Sequence, residues 1–174
     1  MKFLGLMVLA MTLTIGLCAC ENDNNDNKKV AVEVLKAFEQ RFPQAVQVDW
    51  DVEGKYCIAE FIGTAPDIPE LSLEYVPAGT MFEMEAWFDL GANWKMTVVD
   101  IPYKVLPEAV KTGFTSSNYG TWRVEDSDVI QRNGEDNVYV IEVEQGNTDR
   151  YLYFNSKGVL LKERNDNNDY REFL

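Results

Sequence analysis

The chain reads as an α+β domain of two units. Each unit is one helix followed by four antiparallel strands, and the helices pack on one face of a shared sheet. Three observations carry this reading. Apolar residues recur at helical spacing in two short stretches, two-residue alternation follows each stretch, and residues after the second helix match residues after the first. The 174 residues suit a single domain whose core needs no covalent staples.

In the first unit, residues 30–42 form an amphipathic helix. Ala31, Leu35, Phe38 and Phe42 lie on one stripe with Val34, and Pro43 ends it. Val46, Val48, Trp50 and Val52 alternate with polar residues as a first strand, and Glu53-Gly54 turns into a second at 56–61. Residues 63–79 carry Pro66, Pro69 and Pro77 and read as an inserted loop. The alternation of Leu71, Leu73 and Tyr75 adds a short strand inside the loop, which could cover part of the sheet. Strands at 81–89 and 94–99 complete the unit.

The second unit opens at Pro107, a residue suited to a helix start, with Leu106, Val110 and Phe114 as the apolar stripe. Strands follow at about 121–131, 137–144, 150–154 and 159–164, and Asn133-Gly134 marks a hairpin. Val34 and Phe38 match Val110 and Phe114. Trp87-Phe88-Asp89-Leu90-Gly91 matches Tyr153-Phe154-Asn155-Ser156-Lys157-Gly158 with one extra residue. The domain thus covers 30–164, as halves of about 30–100 and 101–164, and residues 165–174 read as a polar tail.

Ahead of the domain, Met1-Lys2 precedes an uncharged apolar stretch at 3–17. That is short for a membrane-spanning helix and right for a signal sequence. It ends in Leu17-Cys18-Ala19-Cys20, which resembles the lipobox of bacterial lipoproteins. Residues 1–19 are then a removed leader, and Cys20 carries the lipid that tethers the chain to the membrane. The Asn- and acid-rich residues 20–29 are a solvated tether. An acidic run after the lipidated cysteine also resembles a surface-export signal, so the expected location is the outer membrane, on its periplasmic or cell-surface side.

Composition excludes several functions. The net charge of −13 repels phosphate backbones, so nucleic acid is not an expected partner. There is no histidine, which removes imidazole triads and the commonest metal ligand. Only Cys57 remains in the mature chain, and its apolar neighbours make it a core residue rather than a reactive thiol. No phosphate-binding glycine loop is present, and no cofactor is expected. The Asp/Asn runs at 23–27 and 165–169 lack the glycine and closing glutamate of a calcium loop, so no metal is expected.

Several motifs together resemble a known family. They are Phe42-Pro43-Gln44-Ala45, Val48-Asp49-Trp50, Ala59-Glu60-Phe61, Trp87-Phe88-Asp89 with Gly91-Ala92-Asn93-Trp94, Leu106-Pro107-Glu108-Ala109-Val110, and Tyr151-Leu152-Tyr153-Phe154 with Gly158. The chain resembles the PepSY-like family over about residues 30–164, and that family is described as similar to the β-lactamase inhibitory protein fold. The resemblance implies an exported protein of a family most of whose members have no assigned activity, and the residues themselves show no catalytic constellation, so a non-enzymatic binding module is expected. It transfers no residue of an inhibitory grip, because the matching positions are core and turn positions.

Alternation also nominates a site. Met84, Ala86 and Phe88 face one way from their strand, and Glu85 and Trp87 face the other. Tyr151 and Tyr153 likewise oppose Leu152 and Phe154, and Tyr56, Ile58 and Val140 share the outward face. A Trp-Tyr-Tyr cluster beside three further apolar residues is the chemistry of a protein or peptide interface. Two alternatives stand beside it: a glycan-binding accessory protein using the rings as stacking platforms, and a structural envelope component with no small ligand. Glu83 with Glu85, and Glu142 with Glu144, share strand faces as glycosidase carboxylates would, yet such alternation is ordinary on a wet strand face.

Overall fold

Helical stripes and strand alternation take physical form in the computed structural model, which describes residues 30–64, 67–165 and 170–174. The leader, Cys20 and the tether lie outside the described residues, as does most of the 165–169 run. Among the described residues, no helix is long and apolar enough to cross a membrane.

The first helix, α1, is Val32–Arg41, followed by β1 (Val46–Glu53), β2 (Tyr56–Thr64), β3 (Met81–Asp89) and β4 (Trp94–Asp100). Then come α2 (Glu108–Thr115), β5 (Arg123–Arg132), β6 (Val138–Gln145), β7 (Thr148–Asn155) and β8 (Leu160–Arg164). The strands form one sheet in chain order, every neighbouring pair antiparallel.

The expected α+β class is corrected by this architecture. Strand takes 46% of the described residues and helix of all kinds 20%, so the molecule is a β-sheet protein carrying two short helices. The reason lies in the proline boundaries. A residue before proline is held out of the helical region. Phe42, before Pro43, sits at φ −124°, and Leu106, before Pro107, at φ −54°, ψ 148°. Both were placed on helical stripes, and both fall just outside. The helices are left with 10 and 8 residues, which gives each one buried apolar patch rather than a full layer.

Those patches are Val34 and Phe38 of α1, and Val110 and Phe114 of α2. They close over Ala59, Phe61, Ala86, Phe88, Val99, Val129, Tyr139, Ile141, Leu152 and Phe154 on the inner face of the sheet. Phe38 is the hub, with its ring centroid 5.0–5.3 Å from those of Phe61, Trp50 and Phe42. On the second unit, α2 lies directly on the turn between β7 and β8. A Cβ built on Gly113 would stand 2.0 Å from the Gly158 carbonyl oxygen, so the contact needs glycine.

The inserted loop also packs on the helix side. Ile68 and Leu71 are buried in the same core, and the Ser72 amide donates to the Val105 carbonyl at 2.9 Å. Leu73–Tyr75 is a 3-10 turn rather than the expected strand. The loop therefore does not cover the opposite face of the sheet.

Two hairpins share one turn geometry. In β3–β4 the Asp89 side chain accepts from the Gly91 and Asn93 amides, and Ala92 takes φ 62°. In β7–β8 the Asn155 side chain accepts from the Lys157 and Val159 amides, and Gly158 takes φ 76°. Ala92 is thus the counterpart of Gly158. The one-residue offset drawn from the glycines alone is corrected to none.

Candidate functional site

The far face of the sheet carries its own apolar floor. Ile58, Trp87, Met96, Val98, Ile130, Val138, Val140 and Tyr153 form a second buried cluster, edged by Tyr56 and Tyr151. Pairing fixes the register. Ile58 lies opposite Trp87, Glu85 opposite Val98, Val140 opposite Tyr153, and Glu142 opposite Tyr151. Tyr56, Ile58, Glu85, Trp87, Val140, Tyr151 and Tyr153 therefore share one face.

Their expected exposure is corrected. Trp87 and Ile58 are 5% exposed, Val140 1% and Tyr153 0%. The cover is the segment expected to be a polar tail. Tyr170–Phe173 forms a 3-10 turn, and Tyr170, Phe173 and Leu174 pack on the second cluster. The Tyr170 hydroxyl donates to Asp128 Oδ2 at 2.7 Å. The Phe173 ring lies 5.7 Å from that of Tyr153, with Lys162 Nζ at 5.1 Å and the Arg132 guanidinium at 5.4 Å. Glu172 pairs with Lys162 and, at 3.3 Å, with Arg164, and Arg171 pairs with Glu53 at 3.0 Å.

These ion pairs describe the shape of the face. Arg171 and Glu172 are adjacent, yet one reaches β1 and the other β8, the two edges of the sheet. Flat strands ~4.8 Å apart would set those edges about 34 Å apart. Two neighbouring residues touch both because the sheet curls around the segment, making this face concave.

The covering segment leaves one end of the face open. A groove of about 400 Å³ runs beside Tyr170, walled by Asp49, Glu60, Glu83, Glu85, Asp100 and Asp128 with no basic side chain. Burial, followed by repulsion from Asp126, Asp100 and Glu142, outweighs the Tyr170 hydrogen bond and pushes the Asp128 carboxyl up to about 7. Burial also raises Glu85, against the hydrogen bond donated by Trp87 Nε1 and with added repulsion from Glu60 and Glu53. Burial raises Glu142 too, against the hydrogen bond donated by Tyr151 at 3.1 Å. These carboxyls hold rings and a turn in place. Among the described residues, no group of three or more Asp, Glu, His or Cys side chains is set to hold a metal.

A larger cavity, about 530 Å³, opens on the helix side between Phe42, Phe61, Met84, Thr97 and Gln131. Among the described residues, the cation that lines it is Arg41, which lies 3.3 Å from the centre of the Trp94 ring and is engaged there. Sequence reasoning missed Met96, Val98, Ile130 and Val138 on the concave face, although the same alternation points to them. It also missed the covering segment, whose only signal is Tyr170, Phe173 and Leu174 at helical spacing.

The family described as "Putative beta-lactamase-inhibitor-like, PepSY-like" matches residues 74–162, and the chain belongs to it. The match takes in α2, six of the eight described strands in whole or part, and most of the concave face. A BLIP-like protein from Bacteroides fragilis shares the fold with a TM-score of 0.66 and 29% identity, over 83% of this chain and 92% of that one. A DUF2874 family protein from Bacteroides ovatus gives 0.65 and 25% identity, over 80% and 89%. A structure from Bacteroides eggerthii described as "putative periplasmic proteins" shares the fold at 0.65 and 23% identity, over 79% and 89%. Among curated proteins none matches.

Proposed function

We propose that this is a lipid-anchored envelope protein that acts by binding, without catalysis, and holds a protein or peptide on the concave face of its sheet. The observation that carries this is a continuous apolar floor, Ile58, Trp87, Met96, Val98, Ile130, Val140 and Tyr153, on a curved surface that, among the described residues, the short segment 170–174 covers. A sheet needs one buried face to fold, and the helices already supply that. A second apolar face of this size, closed by so short a segment, is a partner-type surface once that segment is lifted. The inhibitor-like description of the family and of the Bacteroides fragilis neighbour agrees with binding and names no target for this chain. The glycan reading loses support, because stacking needs open ring faces and Trp87 is closed in, edge to face with Tyr56 at 5.8 Å.

The test is site-specific photo-crosslinking in the cell. A benzophenone side chain at Tyr56 or Tyr151, half-buried on the rim of the face, should give a discrete protein adduct. The same probe at Tyr75, exposed on the helix side, should not. Adducts from Tyr75 alone, or from no position, would remove the reading. Membrane attachment rests on the lipobox-like run ending in Cys20. Labelled palmitate should enter the parent and not Cys20→Ser, and equal labelling of both would sink the anchor.

A further inference from the structure

The segment that closes the concave face is built as a ligand is built. Its aromatic and aliphatic side chains enter the apolar floor, and its charges meet opposite charges at both edges of the sheet. Its backbone makes an internal Leu174-to-Arg171 hydrogen bond, its side chains seat it on the face, and among the described residues it joins no strand ladder. We infer that residues 170–174 are an intramolecular occupant of a peptide-docking face, and that a partner segment of the pattern aromatic, any residue, acid, aromatic, aliphatic takes the same seat by displacing them. The inference rests on the proposed function and names the partner class and its regulation.

Three positions of the seat each select one chemistry. Lys162 and Arg164 together hold one carboxylate, that of Glu172. Lys162 and Arg132 flank one aromatic ring, that of Phe173, which is where cation–π attraction favours a ring over an aliphatic chain. Asp128 takes the hydroxyl of a tyrosine. The seat is the cationic part of a face whose other end is walled by carboxylates, so an acid one residue before the second aromatic sets the direction in which a peptide lies. Self-occupancy and partner binding exclude each other, because both need Tyr153, Lys162 and Arg132. A segment already tethered beside its seat competes at high effective concentration, so the resting protein keeps its apolar floor covered and only a better-fitting sequence opens it.

The probe is a fluorescein-labelled peptide of residues 169–174, Asp-Tyr-Arg-Glu-Phe-Leu, titrated by anisotropy against the full chain. Tyr170→Ala/Phe173→Ala should empty the seat and bind the peptide at least tenfold tighter than the parent does. Glu172→Lys, an exposed charge reversal that leaves the sheet untouched, should also bind tighter than the parent. It serves if the double variant fails to fold. Adding Lys162→Glu to either should reverse the gain. Folded variants that bind no better than the parent, or a gain that survives Lys162→Glu, would overturn the inference. Crosslinking from Tyr56 and Tyr151 without peptide exchange would leave the binding face standing and remove its self-occupant. Peptide exchange without crosslinking would do the reverse.

Discussion

Asp128 is the side chain on which the covering segment turns. It faces Asp100 of β4, Asp126 of its own strand, Glu142 of β6 and the Tyr170 hydroxyl, and its carboxyl holds its proton up to about 7 against an ordinary 3.8. Below about pH 4 both folded and unfolded chains carry that proton, and the group leaves stability unchanged. Between about 4 and 7 the unfolded chain releases it while the folded chain keeps it, so stability falls as pH rises. Above about 7 the loss is complete and the curve is flat. A tenfold change in proton affinity is worth about 1.4 kcal/mol, so the loss is on the order of 4 kcal/mol. Glu85, Asp100 and Glu142, all raised by burial, act in the same direction. Asp128→Asn should flatten the slope between pH 4 and 7 in urea melts and raise stability at pH 7.5. An unchanged slope would place the charge burden elsewhere. Asp89 runs the other way. The Asn93 amide and Lys95 hold its carboxyl well below the ordinary range, so its contribution is present above about pH 4 and is lost as pH falls further.

At the scale of elements, alternation made the face legible and proline made the helices deceptive. The seven face residues could be placed because a strand offers only two sides, and Glu83 and Glu85 mark which side is not the core. Helix ends could not be placed as well. Phe42 and Leu106 continue the apolar spacing, and only the conformational limit before proline removes them. The loop at 67–79 misled in a similar way, since Leu71 and Leu73 alternate like a strand while a 3-10 turn sets them on the helix-side core. The cover over the face was least legible. Arg171 and Glu172 follow a run of Asn and Asp, and their ion pairs to opposite edges of the sheet exist only once the sheet is curled. Packing under α1 gives the element-scale prediction. Phe38→Ala should cost about 3–5 kcal/mol in urea unfolding, because it opens a cavity bordered by Phe42, Trp50, Phe61 and Phe88. A loss below about 1 kcal/mol would mean that α1 does not seal the core.

Among the described residues, the molecule is a curved sheet with two apolar faces, one sealed by short helices and a loop, the other by the segment 170–174. The first seal is continuous with the core of every strand pair. The second is a side-chain contact with a groove beside it, and it is the one that can be exchanged without unfolding the sheet. Family membership places this architecture in the PepSY-like family, described as beta-lactamase-inhibitor-like, and the Bacteroides structures share its fold. The proposed meeting place with another chain is the concave face rather than any titratable cluster. The most direct test is the solvent accessibility of Trp87. With Trp50, Trp94 and Trp122 replaced by Phe, Trp87 is the sole tryptophan, and its quenching by acrylamide reports the cover alone. The account predicts weak quenching in the otherwise parental chain, several-fold stronger quenching with Tyr170→Ala/Phe173→Ala, and renewed shielding on adding the 169–174 peptide. Strong quenching in the otherwise parental chain, or no change when the two aromatic residues are removed, would contradict it.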